Sequence, residues 1–209
     1  MTLSQTADPL IPLSLLEAIR NLDTPLDDGL SEIAEETIAK RLGLSGTVAQ
    51  QIERYREEAG HNRPVSTDEA ISVFRLVGRR PDAPLVYSDA GRRAARYAGR
   101  TRGGVARLFL EGSPRAVRRR LETRVTRAAA RRLLGIELDL DHGPPEVRLL
   151  DSLATRAGYP GTGCYFYSTA LAELLRVASG FEGAMVHDRC RARGDELCVW
   201  RAAESGDYQ

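Results

Sequence analysis

The chain predicts an α+β protein: a helical N-terminal part, then an α/β domain that closes on a C-terminal β-hairpin. Three observations carry this expectation. Up to about residue 80, apolar side chains recur at helical spacing between recognisable caps. Arg80-Pro-Asp-Ala-Pro84 then breaks the pattern and sets expected domains at 1–82 and 83–209. Near the C-terminus, two strand-like runs flank the turn pair Gly194-Asp195.

Taken in order, residues 1–12 carry Pro9 and Pro12 and read as a loose arm, with a first helix from Leu13 to Leu22. Leu30, Ile33, Ala34, Ile38 and Leu42 follow a helical period that Gly43-Leu-Ser-Gly46 breaks. Thr47 to Ala59 is a helix with Val48, Ile52 and Tyr55 on one face. Ser66-Thr-Asp-Glu69 is a capping box, so another helix runs from Thr67 to about Leu76. Gly91 to Arg100 is helical and Thr101-Arg-Gly-Gly104 interrupts it. Ser113-Pro114 starts a helix whose core side is expected at Val117, Leu121, Val125, Ala128 and Leu133. Ile136 to Leu140 and Glu146 to Leu150 read as strands, and Tyr159 to Gly163 as a loop. Ser168 to Ser179 is a helix, followed by the hairpin strands Gly183–Arg193 and Glu196–Ala203.

The 209 residues suffice for one large domain or two small ones. No run approaches about 18 uninterrupted apolar residues, so no membrane span is expected. Without a secretory signal and with three cysteines, an odd number for a disulfide framework, the expectation is a cytoplasmic protein with reduced thiols. The net charge of +1 hides an asymmetry. Residues 1–90 hold 9 basic and 15 acidic side chains, 91–135 hold 14 arginines against Glu111 and Glu122, and 136–209 hold 7 arginines against 12 acids. Lys40 is the single lysine, a usage that fits a GC-rich bacterial genome.

The candidate site is Cys164, His187, Cys190 and Cys198, which include every cysteine in the chain. Such a set suits a soft or borderline ion in a tetrahedral Cys3His zinc site. A hairpin brings Cys190 and Cys198 together. His187 lies three residues before Cys190, and in a regular strand that spacing points the two side chains to opposite faces. A shared site therefore needs a bulge between them. The alternative is three buried, apolar cysteines beside a hydrogen-bonded histidine.

Residues from about 85 to 203 resemble the 4-vinyl-reductase domain. The carrying residues are Cys164-Tyr-Phe and the run His187-Asp-Arg-Cys190-Arg-Ala-Arg-Gly194-Asp195-Glu-Leu-Cys198-Val-Trp200. That domain occurs in a bacteriochlorophyll-biosynthesis protein and as the sensory domain of phenol- and toluene-responsive activators. The resemblance implies a dimer, an internal pocket for a small apolar or aromatic molecule, and structural zinc on Cys164, His187, Cys190 and Cys198. His187 stands where the family usually has an acid. Tyr159, Tyr165, Phe166 and Tyr167 are the candidate ligand-binding residues near the metal.

Other readings compete. Residues 33–58, with Ile38-Ala-Lys-Arg-Leu-Gly-Leu-Ser45 at the centre, resemble a helix-turn-helix, but their acidic setting disfavours DNA. The Arg-rich helix is a solvated face, an anion grip, or a contact with the acidic N-terminal part or a protein partner. No nucleophile elbow, P-loop or dinucleotide fingerprint is present, and four protein ligands would close a zinc ion to catalysis. The enzyme alternative is a reductase, or an accessory to one, in tetrapyrrole biosynthesis.

Overall fold

A computed structural model describes residues 4–24, 42–110, 115–140, 145–159 and 161–204, with the backbone alone at 100–110, 115–119, 178, 179 and 204. Among them are seven α-helices and two small antiparallel sheets, so the chain is mixed α/β and mostly helical. Strands β1 (Thr6–Ala7) and β2 (Val65–Ser66) pair with each other. They tie the N-terminal arm down, helped by the Thr67 hydroxyl donating to the Ser4 carbonyl at 2.7 Å. From residue 4 onward the arm is therefore held rather than loose.

Helix α1 (Leu10–Asp23) starts before Pro12, three residues earlier than expected. Proline is tolerated in a first turn, where its missing N–H would have no helical partner. The capping group is Asp8, whose Oδ1 accepts the Leu10 N–H at 2.9 Å. Leu10 to Ala18 are all buried, as in a helix surrounded by others. Helix α2 (Gly46–Gly60) is capped by Ser45 and buries Val48, Ile52, Tyr55 and Ala59. The expected helix before it lies outside the described residues. Helix α3 (Thr67–Gly78) is capped by Ser66, whose Oγ accepts the Glu69 N–H at 3.1 Å. Only this half of the expected capping box forms. The Glu69 carboxylate instead takes the Tyr55 hydroxyl at 2.7 Å and the Arg54 guanidinium, which joins α2 to α3.

Helix α4 (Ala83–Leu110) runs through Thr101–Gly104 without a break. Each interior glycine costs about 1 kcal/mol, which weakens a helix without ending it. Helix α5 (Arg115–Leu134) buries Thr126, Ala129, Ala130, Leu133 and Leu134, while Leu121, Val125 and Ala128 are half-buried. Leu133 is buried as expected, the Val117 side chain lies outside the described ones, and the rest of the core side is rotated from the expected one, because packing rather than pattern decides on so basic a helix. Ile136 to Leu140 alternates between buried and exposed as expected, yet it forms no ladder. Arg127 holds it against α5 by donating from Nε to the Leu138 carbonyl at 3.2 Å.

Strand β3 (Glu146–Leu149), helix α6 (Leu153–Ala157), helix α7 (Cys164–Ser179) and strands β4 (Gly183–Arg189) and β5 (Cys198–Glu204) complete the chain. The sheet order is β3-β5-β4, with β5 central. One hydrophobic core spans position 82. Its spine is a run of rings, Phe74 to Phe166 at 5.5 Å, Phe166 to Tyr167 at 5.7 Å and Tyr167 to Trp200 at 5.6 Å.

Helices α4 and α7 pack through small residues. A Cβ on Gly91 would overlap the Thr169 hydroxyl and the Phe166 carbonyl, so the close approach requires glycine. Arg96 reaches across to the buried Glu173 at 2.9 Å. Glu173 is held down to about 2, first by Arg176 and then by Arg96, against the opposing effect of burial. Gly91→Ala is expected to force these helices apart. Urea denaturation should show a loss of about 1–3 kcal/mol, with the slope unchanged.

Candidate metal centre

Three pieces of backbone converge on the quartet. Cys164 is the first residue of α7, and its N–H bonds the Gly161 carbonyl at 3.1 Å. Gly161 takes φ +75°, a left-handed turn that suits glycine. Helix α6 buttresses this start: the Ser152–Thr155 capping box is complete, and the Leu153 N–H donates to the Tyr167 hydroxyl at 3.2 Å.

His187 comes from β4, where it lies opposite Trp200 of β5. The next registered pair is Arg189 with Val199, so Asp188 is an extra residue. This is the bulge that the His187–Cys190 spacing demanded. It turns Cys190 to the face that His187, Trp200 and Cys198 share. The connection to β5 is longer than the Gly194-Asp195 turn between the expected strands. It is a 3-10 turn, Arg191–Arg193, followed by Gly194 at φ +107°. Asp195 staples this turn, its Oδ2 accepting the Cys190 N–H at 2.6 Å while the Cys190 carbonyl accepts the Arg193 N–H at 2.9 Å.

The three sulfurs are buried, and all four ligand atoms lie within 4.8 Å of one another. The sulfurs of Cys164 and Cys190 are 3.9 Å apart, too far for a disulfide. A tetrahedral ion with metal–sulfur bonds of about 2.3 Å has sulfur–sulfur edges of about 3.8 Å. The His187 ring stacks on Trp200 at 4.6 Å and 10°, and its Nε2 is buried with no hydrogen-bond partner. A buried nitrogen without a partner is costly unless something else binds it. The donor set, the spacing and the orphaned nitrogen all fit a metal ion, and the quartet can hold one.

The electrostatics agree with that chemistry. Cys198 is pushed down to about 4, first by Cys164 as hydrogen-bond donor, against burial, and then by His187 and the Arg191 N–H, which lies 3.4 Å from its sulfur. Cys164 is pushed far up by its bond to Cys198, by burial and by the charge of the neighbouring sulfurs. Cys198 can ionise in this nest, but Cys164 resists joining it. A cation removes that conflict.

The candidate ligand-binding residues do not form one pocket. Phe166 and Tyr167 are buried within the ring spine, and burial raises the Tyr167 phenol. Tyr159 covers Gly78 at the end of α3, and Tyr165 is 50% exposed on α7. Sequence reasoning gave Trp200 no role at the site and gave Asp195 only a place in the turn. Trp200 orients the imidazole and donates from Nε1 to Ser168 Oγ at 3.0 Å. Their signal was present, since both belong to the run from His187 to Trp200.

The first helix of the helix-turn-helix candidate lies outside the described residues. In its second helix, α2, Arg54 is engaged by Gln51 and Glu69, and Arg56 by Glu17 at 2.8 Å and Glu53 at 2.5 Å. On α5, Arg132 is taken up by the buried Asp8 at 2.5 Å. No protein-family model, curated protein or solved structure matches the chain.

Because outer-shell partners hold ligands in place, Asp195→Ala should weaken metal affinity by about 10–100-fold. Competition against a chromophoric chelator measures this, with circular dichroism expected to stay unchanged.

Proposed function

We propose that this chain is a zinc-containing small-molecule-binding module with a sensory or regulatory role, in which the zinc is structural. The carrying observation is the closed, buried Cys3His quartet with its orphaned His187 nitrogen. Three sulfurs and an imidazole favour zinc over harder ions, and four protein ligands leave no open position for catalysis. An ion there would pin the β4–β5 connection to the start of α7.

The likeness to the 4-vinyl-reductase domain supplies the rest of the reading. It rests on Cys164-Tyr-Phe and on the run from His187 to Trp200, whose bulge, turn and stacked ring all serve the quartet. On this reading the module is a cytoplasmic homodimer that takes an apolar or aromatic molecule and passes the signal to a protein partner. No helix among the described residues is long and apolar enough to cross a membrane. A role as reductase, or as accessory to one, in tetrapyrrole chemistry is the enzyme alternative. Turnover of a bound ligand with a reduced nicotinamide would establish it.

Protein purified without added metal is expected to contain one zinc per chain by elemental analysis. Cys198→Ala should lose the metal and most of the cooperativity of unfolding, because binding is coupled to folding. Metal-free wild type, or a disulfide in freshly reduced protein, rejects the zinc reading. A thermal-shift screen over phenols and tetrapyrroles tests ligand binding, since a ligand of the folded state raises Tm.

A further inference from the structure

An open groove of about 690 Å3 lies between the N-terminal arm, the end of α5 and the edge of β3. Its volume is typical of small-molecule sites, which span about 300–1,000 Å3. Ile11, Leu133, Leu149, Leu153 and Tyr167 give it an apolar lining. Its acids are already paired, Asp8 with Arg132 at 2.5 Å, Asp151 with Arg156 at 2.5 Å and Glu137 with Arg131 of the same lining at 4.0 Å. The body of the groove therefore suits an uncharged, elongated group.

At the rim the chemistry changes. Arg148 and Leu197 also line a second, smaller hollow of about 110 Å3 on the outer face of the C-terminal sheet, with Arg189 and Arg201. Arg148 and Arg189 flank Val199 in one cross-strand row. Glu146 holds two of these guanidiniums by their Nε atoms, Arg148 at 2.5 Å and Arg201 at 2.8 Å. Asp188 takes one Nη of Arg201 at 3.1 Å. Among the described residues the Nη groups of Arg148 stay unoccupied and Arg189 makes no ion pair. Three guanidiniums face two carboxylates, an excess of one positive charge. Arginine forks oriented in this way match a carboxylate or a phosphoryl group.

We infer that the two hollows form one site for a single-chain amphiphile, with its apolar chain in the groove and its anionic head on Arg148, Arg189 and Arg201. The inference deepens the small-molecule-binding reading and rests on it. The ligand is a free molecule rather than a bilayer, because the groove takes one chain and the cationic hollow is confined to its rim. Tyr167 connects the site to the metal centre, since its ring stacks on Trp200, which stacks on His187. Trp200 is the single tryptophan, so its fluorescence reports occupancy.

The test uses the full-length, metal-loaded protein with dodecanoate, the uncharged dodecan-1-ol and phosphatidylglycerol vesicles, read by Trp200 fluorescence and calorimetry. Wild type should bind dodecanoate about tenfold more tightly than dodecanol, because charge-assisted hydrogen bonds select the head. Arg148→Gln with Arg189→Gln should remove that preference and leave dodecanol binding unchanged. Leu150 is 51% exposed on the groove, and Leu150→Asp should weaken both ligands at unchanged Tm and metal content. Equal affinity for the two ligands, no binding of either, or tighter adsorption to vesicles than to monomeric dodecanoate would overturn the proposal. If dodecanoate fails while a phenol or tetrapyrrole raises Tm, the module reading stands and only this site assignment falls.

Discussion

Three thiols and one imidazole are gathered in the interior with no polar partner sufficient for all of them, and the C-terminal half is arranged around that fact. Buried polar side chains are satisfied in folded proteins as a rule, and among the described residues the His187 Nε2 is the exception. A cation at the centre of the quartet resolves several tensions at once. It would occupy the imidazole, let Cys164 ionise beside Cys198 and replace the crowding of like charge by attraction. The β4–β5 connection between Arg189 and Cys198 has little regular structure beyond one 3-10 turn, so a metal ion there would add a tie to the hydrogen bonds that staple it.

The remaining packing delivers the ligands to that point. Gly91 and the alanines of α4 let α7 lie close against it, and the Arg96–Glu173 pair fixes the two lengthwise. This sets the position of Cys164 at the start of α7. From the other side, the ring run from Phe74 through Phe166 and Tyr167 to Trp200 carries the core of the N-terminal helices up to the face of His187. The imidazole is therefore oriented by a stack whose far end belongs to α3. Order at the site depends on helices remote from it in sequence.

Much of the site was legible because its constraints are local. The three-residue step from His187 to Cys190 conflicts with strand alternation, and a bulge at Asp188 resolves it. Gly194-Asp195 marked a turn, and both residues act there, the glycine through positive φ and the aspartate through its bond to the Cys190 N–H. What sequence missed was decided by tertiary context. Pro12 proved compatible with a helix start, Thr101–Gly104 did not stop α4, and α5 presents a different face because its buried partners, not its periodicity, choose it. Ile136–Leu140 has a strand's alternation without a strand's ladder, since β3 pairs with β5 instead. Pattern reports which side chains are buried more faithfully than which backbone groups pair.

X-ray absorption at the zinc edge of protein purified without added metal tests the central claim most directly. The quartet predicts about three sulfurs near 2.3 Å and one nitrogen near 2.0–2.1 Å, with no further ligand. A first shell of oxygen and nitrogen alone, or a fully folded protein that carries no zinc, would contradict the account.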